Sequence, residues 1–180
     1  MGIFALPTYV TAAMADFLRS NGPWLQLVAL SNLELRLLTP GAPLVLSPKL
    51  TLTPVAVPHR SEFSDTIALL AAGPRQWLFY CPDIDRWETW DEDLARFLAG
   101  LDIALLDGTF YSAAELPGRD MAEIPHPPVV ETVALLAAVG RRAGFIHLNH
   151  TNPLLREGPE LAALTAQGHW VGREGMAWKL

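Results

Sequence analysis

Four short words in this 180-residue chain put an imidazole or a carboxylate directly after an apolar run. They are Val57-Pro58-His59, Tyr80-Cys81-Pro82-Asp83, Leu105-Leu106-Asp107 and Phe145-Ile146-His147. Imidazole nitrogens and carboxylate oxygens are donors that zinc, iron and manganese accept. Two histidines with one aspartate would make the facial set of non-haem iron enzymes, and would also suit a catalytic zinc with an open position. These residues lie far apart in the sequence, so spacing alone assigns no ion. No HExxH, CxxC, P-loop or GxGxxG word is present. Asp107 precedes Gly108 and reads equally as a turn former or a proton-transfer group.

These groups need elements that bring them to one place. Trp77 to Cys81 is apolar and aromatic enough for a buried strand, and Pro82 ends it because proline has no N–H to donate. Leu33 to Leu37 and Leu50 to Val57 alternate and predict strands with one buried face. Pro54 suggests an edge or a bulge in the second. Thr66 to Ala72 is a further apolar strand and a hairpin partner for Trp77 to Cys81. Strands are also predicted over Asp102 to Leu106 and Gly144 to Leu148, with a short one near Trp170. Helices are predicted over Thr8 to Ser20, Asp91 to Ala99, Val129 to Arg142 and Gly158 to Gln167, with Asn21-Gly22-Pro23 ending the first. A block of strands followed by alternating helix and strand indicates a layered α/β fold. In open α/β sheets, ligands bind in the crevice outside the strand carboxyl ends.

Composition narrows the class. Hydrophobic residues make up 51% of the chain and argue for a packed core. Charged residues are only 18%, against roughly 25% in ordinary soluble domains. Some apolar surface is therefore expected to meet a partner. A net charge of −6 argues against a nucleic acid as the main ligand. The single cysteine, Cys81, excludes an internal disulfide and a multi-cysteine zinc site. The first basic residue is Arg19, so the apolar start lacks the charged region of a secretory signal, and a cytoplasmic compartment is expected. No apolar run is long enough to span a bilayer.

Read together, the words are more specific. VPHRSEFSDT (57–66), FYCPDIDRWETW (79–90), LLDGTFY (105–111) and HLNHTNPLL (147–155) resemble the pyrroloquinoline quinone (PQQ) biosynthesis protein B family of the metallo-β-lactamase superfold. NGPWLQLVALSNLELRLL (21–38) and EGMAWKL (174–180) are similar to it as well. The resemblance implies one α/β domain over residues 1–180, a metallo-β-lactamase-like αββα sandwich. The superfold's first metal motif and its strands would fall before residue 1, so an N-terminally truncated version is expected. Metal ligands carried over are His59, Asp83 and His147, with iron or zinc as the ion. Asp107 would orient or deprotonate a bound water or phenol. Asn149, His150, Thr151 and Asn152 would contact substrate. Arg119 and Glu123 would support the site. Glu123 stands where the family has the histidine of an Arg-x-Met-Gly-His word, here Arg119-Asp120-Met121-Ala122-Glu123.

The function implied is a metal-dependent enzyme of PQQ biosynthesis, with oxidative chemistry on a tyrosine-derived precursor. A non-catalytic binding or carrier module for PQQ or its precursor is the alternative, followed by a degenerate metallo-hydrolase. The expected partner is the small-molecule precursor, with no nucleic acid and no membrane span. A homodimer contact or a partner chain would cover exposed sheet surface. Other residues have structural readings. Asp85 would pair with Arg86, Trp87 and Trp90 would pack, and Cys81 would be an inert buried thiol. The acidic run 91–93 would open a helix. His126 and His169 would be solvated.

Overall fold

A computed structural model describes residues 5–120 and 123–180. The elements are β1 (Leu6–Val10), α1 (Ala12–Ser20), α2 (Gly22–Ala29), β2 (Leu33–Leu37), β3 (Leu44–Ser47), β4 (Leu50–Ala56), β5 (Ile67–Ala72), β6 (Trp77–Cys81), α3 (Leu94–Leu98), β7 (Ile103–Asp107), α4 (Val129–Ala137), β8 (Gly144–Ile146), α5 (Pro159–Ala166) and β9 (Trp170–Val171). β1 and β2 form a two-stranded parallel sheet. β3 to β9 form a seven-stranded sheet in chain order.

Strand direction in the large sheet matters most for function. β3 to β6 are successive antiparallel neighbours, whereas β6 to β9 are parallel neighbours. Two reversals return β6 to the direction of β4. The carboxyl ends of β4, β6, β7 and β8 therefore open on one rim. All five residues of β7 are buried, as expected of a central parallel strand covered on both faces. Phe79, Ile84, Leu106 and Leu136 are fully buried in the main core cluster. Trp87 and Trp90 join them as packing groups, and each indole N–H has an acceptor. Trp87 donates to Thr132 Oγ1 at 2.8 Å and Trp90 to the Ala56 carbonyl at 3.0 Å. A second cluster, with Val129, Phe145, Leu154 and Leu164, packs α4 and α5 beside β8.

The N-terminal part departs from the helix predicted over Thr8 to Ser20. Thr8, Tyr9 and Val10 belong to β1 and pair with β2, which suits β-branched and aromatic side chains. Thr11 is the cap, its hydroxyl accepting from the Met14 N–H at 3.3 Å. Asn21-Gly22-Pro23 does end α1, but it also opens α2, where Pro23 occupies the first turn and needs no N–H there. α2 buries none of its residues, and Trp24, Leu25, Leu27 and Leu30 are exposed. β3, absent from the sequence reading, is a short edge strand on β4. Its paired register ends at Leu52 of β4, short of Pro54. The Pro54 carbonyl accepts from the Gly41 N–H at 2.7 Å instead. Among the described residues no helix is long and apolar enough to cross a membrane.

Candidate metal centre

The four words converge because their strands end on the same rim. His59 follows β4, Asp83 follows β6, Asp107 is the last residue of β7, and His147 follows β8. A fifth group, His126, arrives on the segment that leads into α4. Asp83, Asp107, His126 and His147 each offer a ligand atom, and these atoms all lie within 4.8 Å of one another. His126 and His147 both have left-handed backbone, with φ of 85° and 60°. Such conformations in non-glycine residues persist only where the surroundings enforce them.

Asp107 anchors the cluster. It is completely buried. Its Oδ1 accepts from the Thr109 N–H at 2.9 Å and the Thr109 hydroxyl at 2.7 Å. Its Oδ2 accepts from the Ile84 N–H at 3.2 Å and faces His126 Nδ1 at 2.7 Å. The sequence left Asp107 open between turn former and proton shuttle. Both of its oxygens are in contact with protein donors, and neither meets solvent. Gly108 permits the arrangement, since a Cβ there would lie 2.8 Å from Phe145 Cβ on β8. The Thr109 hydroxyl also stands 3.2 Å from His126 Nδ1 and 3.0 Å from His147 Nδ1.

Asp83 has the opposite condition. Its Oδ1 is buried and has no hydrogen-bond partner of acceptable geometry. Two imidazole nitrogens nevertheless approach it, His59 Nε2 at 3.1 Å and His126 Nδ1 at 3.4 Å. His59 Nδ1 lies 2.8 Å from Asp85 Oδ1. With that nitrogen donating, a neutral ring turns only a lone pair towards Asp83. Acceptor then faces acceptor, an arrangement that a cation between them relieves. Burial disfavours the charged form of His126, but the Asp107 hydrogen bond and the carboxylates of Asp107, Asp83 and Asp85 outweigh it. Its pKa is raised above the usual imidazole value.

Several expectations change here. His126 was expected in solvent, yet it sits inside the cluster with its side chain only 15% exposed. The one local signal was its position between Pro125 and Pro127, which fixes the backbone on both sides. Glu123, carried over as the counterpart of a family histidine, is exposed and outside the group of four. Arg119 is exposed as well, and Met121 and Ala122 of the same word lie outside the described residues. His59 touches Asp83 but is not one of the four. Asp85, expected to have a structural role, faces His59 Nδ1 at 2.8 Å. His169 is 3% exposed rather than solvated. Cys81 is buried as expected, and desolvation followed by the nearby Asp107 charge pushes its thiol far above the normal range.

The loop after β8 divides into two roles. Asn152 is buried, its amide donating to the Gly108 carbonyl at 2.7 Å and the Thr109 carbonyl at 3.2 Å. Its Oδ1 accepts from the Leu154 N–H at 2.9 Å. Through these bonds Asn152 ties the loop after β8 to the loop after β7. Asn149 and Thr151 share a hydrogen bond of 2.8 Å, and the Thr151 hydroxyl donates to Glu115 Oε2 at 2.9 Å. His150 is exposed, with Nδ1 3.0 Å from Asn149 Oδ1.

A mixed sheet with carboxylates and imidazoles gathered at the strand ends defines a class. The chain belongs to the β-lactamase superfamily, whose domain model matches residues 3–148. Within it, the chain resembles coenzyme PQQ synthesis protein B, as its sequence words implied. It is 38% identical to that protein from Klebsiella pneumoniae over 112 residues, covering 57% of this chain and 35% of the relative. The Azotobacter vinelandii protein is 31% identical over 150 residues, covering 72% and 49%. This chain thus spans half or less of the length of these two relatives. Zn2+-bound PqqB from Methylobacterium extorquens shares the fold, with a TM-score of 0.79 at 24% identity over 98% of this chain and 63% of the other. Unliganded yeast PDE1 has a TM-score of 0.62 at 15% identity, covering 95% and 59%.

Proposed function

We propose that this chain is a metal-dependent protein of PQQ biosynthesis that acts on a small-molecule precursor. The observation that carries the reading is the buried, unpartnered Asp83 Oδ1 among imidazole nitrogens, opposite the buried Asp107 carboxylate. Asp83, Asp107, His126 and His147 would hold a divalent ion. Two carboxylates and two imidazoles suit zinc, iron or manganese. Such an ion polarises a bound oxygen and lowers the pKa of a bound water or phenol. Asp107 and Thr109 fix the orientation of the imidazoles. His59, oriented by Asp85, is placed to take a proton at Nε2 from a group bound beside Asp83.

The finer reading is oxidation of a tyrosine-derived precursor, with iron as the ion and dioxygen as the oxidant. Zinc has no accessible redox change, so a zinc form would bind, transfer protons or hydrolyse. Metal analysis of the purified chain tests the shared premise. One divalent ion per chain is expected in the wild type, with loss in His126→Ala and retention in Glu123→Ala. Equal metal content in wild type and His126→Ala would reject the site. Oxygen uptake by the iron-loaded chain with the precursor would then separate oxidation from carriage.

The exposed apolar residues of α2 support a further reading, that a partner chain or a second copy covers this face. Light scattering that shows a dilution-resistant monomer, with no partner retained, would count against it.

A further inference from the structure

Beside the metal group lies an open cleft of about 310 Å3, lined by His59, Arg60, Phe110, Ile124, Pro125 and His126. A neighbouring cleft of about 300 Å3 shares Arg60, Ile124 and Pro125 and adds Asp85, Arg86, Thr89 and Glu123 to its lining. Arg60 thus stands at the boundary of the two. It is exposed. Among the described residues its guanidinium has no ion-pair or hydrogen-bond partner. Asp85 and Glu123 line the adjoining cleft with Arg86, and Arg60 pairs with neither carboxylate, since Asp85 faces His59 instead.

A guanidinium presents a rigid fork of donors that matches carboxylate or phosphate oxygens in pairs. Phe110, Ile124 and Pro125 give the cleft apolar walls, while His59 and His126 give it an edge on the metal group. The cleft volume lies at the lower end of the range for small-molecule sites. We infer that Arg60 recognises an oxyanion on the small ligand of this cleft. The ligand's apolar body lies against Phe110 and Pro125, and another of its polar atoms points towards the metal group. This assignment deepens the function proposed above by naming the chemical class of its substrate. The anion contact itself does not require the metal.

Calorimetric titration of the full chain, zinc-loaded and EDTA-treated, tests this with three probes. Phthalate carries carboxylates, phenyl phosphate carries a phosphate, and phthalamide is the neutral control. Both anions should bind the wild type more tightly than phthalamide does. Arg60→Gln should weaken the preferred anion about fivefold, the order expected for one exposed ion pair, and leave phthalamide unchanged. Arg60→Lys should recover part of the loss. Which anion loses more assigns the oxyanion as carboxylate or phosphate. Unchanged anion affinity in Arg60→Gln, or no anion preference in the wild type, would overturn the assignment. Metal content on the same samples keeps the two readings apart. Arg60→Gln should retain the wild-type ion, and a wild type without metal would defeat the metal reading while the EDTA-treated titration still decides this one.

Discussion

Asp83→Asn should make the metal-free protein more stable while abolishing its response to metal. In the wild type, Asp83 Oδ1 is a buried acceptor without a hydrogen bond, 3.1 Å from His59 Nε2. Leaving such a group unsatisfied costs about 1–3 kcal/mol. The Asp83 side chain is 32% exposed, so its other oxygen keeps water and the lower end of that range applies. An asparagine can place its NH2 where Oδ1 stood and donate to His59 Nε2, whose ring is held from the other side by Asp85. One new hydrogen bond adds about 1 kcal/mol. The sum is about 2 kcal/mol in favour of the variant, or about 4–8 °C in Tm for a chain of this size. The assay is urea and thermal unfolding in EDTA at about pH 8.5, where an ordinary imidazole is neutral. Zinc at about 100 times its Kd should then stabilise the wild type by about 2.7 kcal/mol and leave Asp83→Asn unmoved. A variant less stable than wild type in EDTA, or equal stabilisation of both by zinc, would refute the reasoning.

Three other outcomes are expected. Thr109→Val keeps the side-chain volume but removes the hydroxyl that binds Asp107 and faces both imidazoles. Competition against a chromophoric chelator should show metal affinity about 10–100-fold lower. Asn152→Ala strands the buried Leu154 N–H and the Gly108 carbonyl, and urea unfolding should show a loss of about 2–4 kcal/mol. His169 is buried, its Nδ1 accepting from the Ala143 N–H at 3.2 Å. Desolvation and the Arg142 charge lower its pKa in the fold. The unfolded chain therefore takes up the proton first, and stability should fall as pH drops below about 6.5 towards the folded pKa. Unfolding midpoints from about pH 8 to 5 should show that slope flattened in His169→Asn.

Much of the architecture was legible along the chain. Apolar runs ending at Cys81, Leu106 and Ile146 read as strands, and the run through Leu106 is buried on both faces, which removes any need for polar alternation. Their positions also put Asp83, Asp107 and His147 at strand ends, and the PDIDRWE and NHTNPLL words pointed to the correct superfamily. The helix predicted from Thr8 begins only at Ala12, and Thr8 to Val10 has no helical or strand period long enough to decide. Pairing with β2 settles it. His126 was missed because it lies in a proline-bearing segment whose course follows no periodicity.

Residue types and strand ends were thus determined by sequence, since hydrophobic runs and proline breaks act locally. Which of those ends meet was decided by the sheet. Two antiparallel reversals bring β4 back into line with β6, so His59 reaches Asp83 across 24 positions of sequence. Burial then separated residues that look alike on paper. Asn152 is enclosed and satisfied while Asn149 is only part-covered, and Asp107 is sealed while Asp83 keeps one oxygen in water. Side-chain chemistry is a property of the residue, but access to solvent and to neighbours exists only once distant segments have packed.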